Sequence, residues 1–226
     1  MKKLLLNLIV AIALVVSSRA GIVFSDTFNY PDGGIVTNSA GIWVANTGTA
    51  NTMLASNSEL VVSTSRTEDI AASLGATYMT NGATPALYAS FSLKCTGRPT
   101  AAGTYFTHFS GPNVNGPLSG ARARVWASST NVASGTLAGS DNFLLSIVNA
   151  SGGNATNAQW GTELTTNVTY TIVVKYELAS LTATMWIDPT SEASPNVVGT
   201  DFPVDLFDTA GGLVNVTSYS YRQATG

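Results

Sequence analysis

Apolar and polar residues alternate along several short stretches of this chain. A period of two places successive side chains on opposite faces of a β-strand. The clearest stretch, 87–95, has an apolar side and a side of Tyr, Ser and Lys, and 121–127 and 181–187 repeat the pattern. We predict three strands with one buried face each, whose apolar sides are Leu87, Ala89, Phe91, Leu93 and Cys95; Ala121, Ala123, Val125 and Ala127; and Leu181, Ala183, Met185 and Ile187.

Less regular patterns predict further strands, and clusters of Gly, Pro, Asn and Asp separate them as turns. These strands are expected at 21–26, 59–64, 104–109, 143–149, 169–176 and 213–222. Beyond residue 20, only short turns near 69–74 or 205–209 suggest a helix. Nine or more strands without crossover helices predict two packed antiparallel sheets in an all-β sandwich. No linker or repeat divides 21–226, so we expect a single domain there.

The first twenty residues have the pattern of a signal peptide. Lys2 and Lys3 precede an apolar run at 4–16, and Ser18 and Ala20 are small residues at the positions that a signal peptidase reads. The run is too short to span a bilayer comfortably, although an uncleaved anchor is the alternative. We predict cleavage after Ala20, no membrane span afterwards, and a secreted, extracellular or cell-surface protein.

Charge is scarce in this chain. It has 10 Lys and Arg, 13 Asp and Glu, and 10% charged residues, against about 25% in an average soluble domain. Loss of 1–20 removes three of the basic residues and leaves a formal charge of −6. A nucleic-acid partner is therefore not expected, because no basic stripe is available to neutralise phosphates. The single Cys95 excludes an internal disulfide and a cysteine zinc site, and it continues an apolar strand face as a small hydrophobe.

Five stretches carry a resemblance to a known family. They are FSDTFNYPDG at 24–33, TYFTHF at 104–109, ARARVW at 121–126, MWIDP at 185–189 and SYSYRQ at 218–223. Together they resemble bacterial secreted LamG-like domains of the concanavalin A-like lectin/glucanase superfamily, in a subgroup without a characterised activity. The resemblance implies a jelly-roll of two curved sheets, with ligands on the concave face or on rim loops. Because fold alone does not transmit function, the site needs a separate argument.

The carboxylates of a jelly-roll glucanase are not apparent. Glycoside hydrolysis normally uses two carboxyl groups about 5–10 Å apart, and in glucanases of this fold they alternate on one strand. The local candidate is Asp188 with Glu192, but Trp186 stands where the first Glu belongs and Pro189 ends the strand. We interpret Asp188 as a residue that opens a turn.

The single histidine is the candidate for other chemistry. Jelly-roll polysaccharide lyases pair His with Tyr beside neutralising Arg, Gln or Asn. Strict alternation would place His108 with Phe106, opposite the face of Tyr105, Thr107 and Phe109. The Gln-Ile-His signature of these lyases is absent, and 66–69 (RTED) is only faintly similar to their Arg-containing strand. A serine triad would need the same histidine, and no Gly-x-Ser-x-Gly elbow is present.

Metal and cofactor sites have little support in the sequence. Loop residues offer oxygen ligands for calcium, but they form no spaced ligand loop. A structural calcium ion is thus an alternative that no motif supports. No cofactor is expected, since Gly-rich motifs that bind phosphate are also missing. The oxygen-bearing residues are Asp26, Asp32, Asp141, Asn142 and Asp201.

The strand at 121–127 carries the most suggestive surface. Arg122, Arg124 and Trp126 are predicted to share one face, and His108 on the neighbouring strand reaches the same surface. Arginines two residues apart lie about 7 Å from each other and can hold an acidic sugar or a sulfate. The alternative is that the arginines only solubilise an outer face and that Trp126 packs under a loop. Three further tryptophans are unranked candidates: Trp43 and Trp160 for a rim, and Trp186 for an exposed strand face.

Three functions remain open on these grounds. The first is a secreted, non-catalytic β-sandwich that binds an extracellular polysaccharide or glycan through Arg122, Arg124, Trp126 and His108. The second is a surface protein that packs against copies of itself, and the third is a polysaccharide-active hydrolase or lyase with an unrecognised site around His108. A groove lined by Trp and Arg favours the first function, long exposed edge strands the second, and His108 beside a Tyr in a deep cleft the third. The sequence leaves ligand and oligomeric state undetermined.

Overall fold

Strands dominate the computed structural model, which describes residues 21–79, 84, 86–111, 120–149, 158–199 and 215–223. Within these ranges the chain forms fourteen strands and one four-residue helix. In chain order they are β1 (Gly33–Gly34), α1 (Ile35–Asn38), β2 (Trp43–Thr47), β3 (Leu54–Ser56), β4 (Glu59–Val61), β5 (Asp69–Tyr78), β6 (Ala86–Lys94), β7 (Thr104–Ser110), β8 (Arg122–Ser128), β9 (Asn142–Val148), β10 (Leu164–Thr165), β11 (Thr169–Glu177), β12 (Thr182–Ile187), β13 (Val197–Gly199) and β14 (Val216–Arg222).

The strands assemble into three sheets. The largest has seven strands in the order β10-β9-β8-β7-β14-β5-β2, the second has four in the order β13-β12-β11-β6, and a small third sheet has the order β1-β3-β4. Every described pairing is antiparallel. The fold is an all-β antiparallel sandwich, which confirms the predicted all-β class.

The hydrophobic core lies between the two large sheets. Ile172, Val174 and Tyr176 of β11 contribute to it from the four-stranded sheet, and the Tyr176 ring stacks on Phe109 of β7 at 6.4 Å between centroids. The apolar faces predicted for the strands at 87–95 and 181–187 pack in this core, as do Ala123, Val125 and Ala127 of β8. Two-residue alternation thus identified the buried faces of β6 and β12 and, from Ala123 onward, that of β8, whereas Ala121 is not part of the core.

Two predictions about local structure were wrong. The segment 21–26 forms no strand in this structure, and the Asp26 carboxylate at its end accepts hydrogen bonds from the Phe28 amide and the Tyr30 hydroxyl in the turn that follows. The proposed helical turn at 69–74 is part of the ten-residue strand β5. The alternation in β5 is hard to see in the sequence, because small alanines occupy both faces. The other proposed turn, 205–209, lies outside the described residues.

Two of the tryptophans considered for a binding surface are buried. Trp43 is 1% exposed and belongs to the core, and Trp186 is 4% exposed, with its indole N–H donating to the Glu192 carbonyl oxygen at 3.3 Å. Trp186 does point away from the apolar face of β12, but the loop after the strand covers it. The expectation of a rim position for Trp43 and of exposure for Trp186 was therefore wrong, and Trp160 packs half-buried against the core.

The predicted signal peptide, residues 1–20, lies outside the described residues. In the ranges that the structure does describe, no helix is both long enough and apolar enough to cross a membrane. Cys95 packs against the core as predicted, and burial raises the pKa of its thiol to about 11. This thiol is therefore protonated near neutral pH and is a poor nucleophile.

Candidate functional site

The strands β7 and β8 are neighbours in the seven-stranded sheet, as the sequence predicted. Phe109 of β7 and Val125 of β8 face the core, so His108 and Arg124, one residue away on each strand, face the other side of the sheet. Ser220 of β14 lies opposite His108 in the register. His108 therefore lies on the side of this sheet that faces away from the four-stranded sheet.

Tyr105 lies on the same side as His108, contrary to strict alternation. The β7–β8 register shifts between Tyr105 and Thr107, so one extra residue is accommodated and the alternation reverses there. The rings of Tyr105 and His108 consequently meet edge to face, with centroids 5.5 Å apart. The displaced Phe106 instead packs toward the core against Phe91, at 6.2 Å.

Tyr105 is the centre of a cluster of aromatic and cationic side chains. The guanidinium carbon of Arg222 lies 4.3 Å from its ring centroid and that of Arg124 lies 5.2 Å away. The Trp126 ring, opposite Tyr105 in the register, is 5.4 Å distant between centroids. Both guanidinium groups are within the range of favourable cation–π contact. We call this cluster, consisting of Tyr105, His108, Arg124, Trp126 and Arg222, the Tyr105 patch.

Arg122 does not lie beside Arg124 on one regular strand face, as the sequence predicted. The next residue, Ala123, has a left-handed backbone with φ of 50°, which interrupts the alternation between Arg122 and Arg124. Arg122 lies opposite Phe109 in the register and is only 2% exposed. The predicted pair of arginines on one regular strand face is therefore replaced by Arg124 and Arg222, which come from different strands.

The Tyr105 patch has a buried floor and a partly exposed rim. His108 is completely buried and Arg124 is 6% exposed. Tyr105 and Trp126 are half-buried, and 29% of the Arg222 side chain is accessible to solvent. A ligand on this surface would thus meet two aromatic rings and one guanidinium group first, with the positive charge of Arg124 beneath them.

His108 is neutral at ordinary pH. Burial lowers its pKa to about 4, and the nearby positive charges of Arg124 and Arg222 act in the same direction. Its Nδ1 lies 3.0 Å from the Phe109 carbonyl oxygen, so the neutral ring donates there. The Nε2 atom has no hydrogen-bond partner among the described residues. The histidine therefore adds no positive charge to the patch.

An acidic residue lies beside the Arg222 guanidinium group. Asp69, opposite Arg222 in the register, approaches the Arg222 Nε at 3.8 Å. It also accepts hydrogen bonds from the Thr47 hydroxyl at 2.7 Å and the Gln223 amide at 3.2 Å. Burial is the largest influence on this carboxyl and raises its pKa. Arg124 and Arg222 thus bring two guanidinium groups to Tyr105 in a domain whose overall formal charge is negative, and Asp69 lies beside one of them.

The buried histidine predicts a measurable pH dependence of stability. Its folded pKa of about 4 lies below the unfolded value near 6.5, so between these pH values the unfolded chain binds an extra proton. This contribution to stability is complete above pH 6.5 and is lost as the pH falls to 4, by about 3 kcal/mol. Urea denaturation at several pH values should show a steeper acid loss for the wild type than for His108→Gln. Parallel pH profiles for the two proteins would contradict the assignment.

The acidic residues considered for catalysis serve structural roles. The Asp188 carboxylate accepts the Thr171 amide at 2.7 Å at the end of the β11–β12 pairing, which supports its interpretation as a turn residue. Glu192 accepts the Tyr88 hydroxyl and lies 3.9 Å from Lys175 on the outer side of the four-stranded sheet. In the segment compared with lyases, Arg66 is exposed.

The candidate calcium ligands that the structure describes form no shared site. Asp26 accepts the Trp43 indole N–H at 2.6 Å, and Asp32 accepts the Asn57 amide at 2.9 Å. Within the described residues, no group of three or more His, Cys, Asp or Glu side chains is placed to hold a metal ion. Asp201 lies outside the described residues.

Sequence reasoning missed two members of the patch, Tyr105 and Arg222. Tyr105 was assigned to the wrong face because the register shift in β7 has no clear sequence signature. Arg222 could have been found from the alternation in β14, where Ser218, Ser220 and Arg222 form the side opposite the core residues Tyr219 and Tyr221. Arg222 is far from β7 along the chain, so the sequence did not indicate that it lies close to Tyr105.

Comparison with known proteins gives similarity at the level of fold. No family model and no curated protein matches the chain. Among solved structures, an alginate lyase from Pseudomonas aeruginosa is 9% identical with a TM-score of 0.44, covering 81% of this chain and 72% of its own. The globular domain of T. cruzi calreticulin is 12% identical (TM-score 0.41; 87% and 83% covered), and an alginate lyase from Alteromonas sp. 272 is also 12% identical (TM-score 0.38; 82% and 75% covered). These likenesses concern the arrangement of strands and assign no function.

Proposed function

We propose that this protein is a secreted, non-catalytic module that binds an acidic extracellular polysaccharide at the Tyr105 patch. The observation that carries the proposal is the convergence of Arg124 and Arg222 on the ring of Tyr105, with the Trp126 ring 5.4 Å away. Three strands, β7, β8 and β14, supply these side chains from one side of one sheet.

The chemistry of the patch suits a sugar that carries a carboxylate or sulfate. An aromatic ring packs well against the apolar face of a pyranose, and Trp126 and Tyr105 offer two such rings at the accessible rim. Arg222 reaches solvent and can bind an acidic group through two parallel hydrogen bonds. Because the guanidinium groups lie against aromatic rings, they are held in place before a ligand arrives, which reduces the entropy lost on binding.

The charge distribution favours acidic over neutral polymers. The domain as a whole is negative, so long-range attraction does not bring an acidic polymer to it, and the local arginines must supply the favourable interaction. Binding should therefore weaken as salt is added, since salt screens exposed charges beyond about 8–10 Å. A neutral polysaccharide would use the aromatic rings alone and should bind more weakly.

Elimination chemistry is the second candidate, because His108 lies directly beside Tyr105 and has an Nε2 without a hydrogen-bond partner among the described residues. A catalytic base must come within hydrogen-bond distance of the proton that it removes. His108 is completely buried, and its pKa of about 4 makes it a weak base. Both properties favour binding without turnover.

A polysaccharide panel on the purified 21–226 protein tests the proposal. Polyuronates, sulfated glycans and neutral glucans should be compared by calorimetry at low and physiological salt, with the same samples followed for new ultraviolet absorbance from unsaturated products. We expect binding to an acidic polymer, weaker binding at higher salt, and no unsaturated product. Release of unsaturated product would replace the binding function with the elimination function, and failure to bind any acidic polymer would contradict the proposal.

A further inference from the structure

A cleft of about 840 Å³ opens between the four-stranded sheet and the small three-stranded sheet. Consecutive residues 88–94 of β6 line one side, and consecutive residues 58–64, which include β4, line another. Core rings such as Phe109 and Tyr221 lie at its base. The cleft therefore leads from solvent to the apolar interior of the sandwich.

Two strands present an unpaired edge at this cleft. Among the described strands, β6 pairs only with β11, and β4 pairs only with β3. An edge strand has backbone N–H and C=O groups that can bond another strand. At one end of the cleft the two edges are linked through side chains, by an ion pair of 3.7 Å between Lys94 Nζ and Glu59 Oε1. We call this space between β6 and β4 the strand slot.

The apolar side chains around the strand slot are incompletely covered. Phe91 and Leu93, on the core-facing side of β6, are only half-buried, whereas Ile172 and Val174 of neighbouring β11 are at most 1% exposed. Val61, in β4, is 41% exposed. An additional strand between the two edges would bury this apolar surface and pair the free backbone groups together.

The chain itself contains an extended segment of suitable pattern at the mouth of the slot. Residues 21–27 belong to no described strand, and Val23 to Phe28 line the cleft. The Phe24 ring meets Trp43 edge to face at 5.5 Å, which fixes the middle of the segment at the slot. Ile22 and Val23, 87% and 53% exposed, are large apolar residues on the N-terminal side of Phe24.

We propose that the strand slot is a binding site for an extended peptide and that its occupant is segment 21–27 of the same chain, inserted as a strand between β6 and β4. Attachment at Phe24 gives the segment a high effective concentration at the slot, which favours its own chain over a second copy. Insertion joins the three-stranded and four-stranded sheets through one added strand. This inference is independent of the Tyr105 patch.

Alternation within the inserted strand specifies which side chains become buried. Phe24 packs against the core, so Ile22, two residues earlier, falls on the same inward side. Val23 then faces outward. With the segment outside the slot, Ile22 and Val23 are both exposed. Insertion would bury Ile22 and leave Val23 exposed.

Hydrogen exchange on the 21–226 protein and two single variants tests the proposal. We expect protection of the β6 amides that do not bond β11, together with amides of 21–27. Ile22→Ser should speed exchange at these amides by about tenfold or more, because an inward isoleucine contributes its burial to the closed state. Val23→Ser, the matched control, should leave the exchange rates nearly unchanged.

Two results would overturn the proposal. One is fast exchange at the free edge of β6 in the wild type, with Ile22→Ser and Val23→Ser indistinguishable from it. The other is protection that rises with protein concentration in step with oligomers seen by sedimentation, because the occupant would then come from a second copy. Concentration-independent protection in a monomer, lost in Ile22→Ser alone, supports insertion of the chain's own segment.

Discussion

Replacing Glu68 with alanine is expected to lower the free energy of unfolding by about 3–5 kcal/mol. The Glu68 carboxylate is completely buried and accepts three backbone N–H groups, from Asn51 at 2.8 Å, Thr52 at 2.7 Å and Met53 at 2.6 Å. Hydrogen bonds to a charged group are stronger than neutral ones, and alanine would leave these donors without their carboxylate acceptor. The same carboxylate holds residues 51–53, which directly precede β3, so its loss should also destabilise the small sheet.

Glu163→Ala is the matched control for this prediction. Glu163 also binds backbone and side-chain donors, namely the Ala138 amide at 3.0 Å and the Asn142 amide group at 2.6 Å, but it does so at the surface where water can replace it. Urea denaturation should show a much larger loss for Glu68→Ala than for Glu163→Ala. Equal losses would mean that burial of the Glu68 carboxylate does not govern its contribution.

Trp43→Ala is expected to destabilise the protein by about 3–5 kcal/mol, the range for removing a buried aromatic side chain. Trp43 is 1% exposed, and its ring lies 5.5–5.6 Å from the rings of Phe24, Phe28 and Tyr221. Its indole N–H donates to Asp26 at 2.6 Å, so the same residue holds the N-terminal segment against the seven-stranded sheet. Alanine removes the packing and the hydrogen bond together.

Two comparisons check the role of Trp43. Trp43→Phe keeps an aromatic ring and should recover a large part of the lost stability, while Trp160→Ala removes a tryptophan that is only half-buried and should cost less. The midpoint and slope of urea denaturation measure all three variants. A loss for Trp160→Ala as large as that for Trp43→Ala would show that the Trp43 cluster is not a principal contributor to stability.

The sequence predicted the buried face of a strand where apolar residues occupy one face and polar residues the other. In β6, large apolar residues alternate with Tyr, Ser and Lys, so the buried face could be assigned directly. In β5, Ala71 and Ala72 point to opposite sides and are both completely buried, so the two sides look alike in the sequence. The position of 21–26 depends on the Asp26 side chain, whose partner Trp43 is 17 residues away.

The candidate site was only partly predictable for a different reason. His108 and Arg124 were placed on a common surface by alternation and by the pairing of successive strands. Tyr105 joins the patch and Arg122 does not, because a register shift in β7 and a left-handed Ala123 in β8 each interrupt the alternation locally. Arg222 joins the patch through pairing of β14 with β7, a long-range contact that no local pattern specifies.

Titration of the 21–226 protein and three variants with an acidic polysaccharide tests the central claim most directly. Arg222→Ala and Trp126→Ala each alter the rim of the Tyr105 patch, whereas Lys175→Ala removes a positive charge from the other large sheet. We predict affinity losses of about 10-fold to 100-fold for Arg222→Ala, a clear loss for Trp126→Ala, and wild-type affinity for Lys175→Ala. Equal affinity for all four proteins, or a loss confined to Lys175→Ala, would contradict binding at this patch.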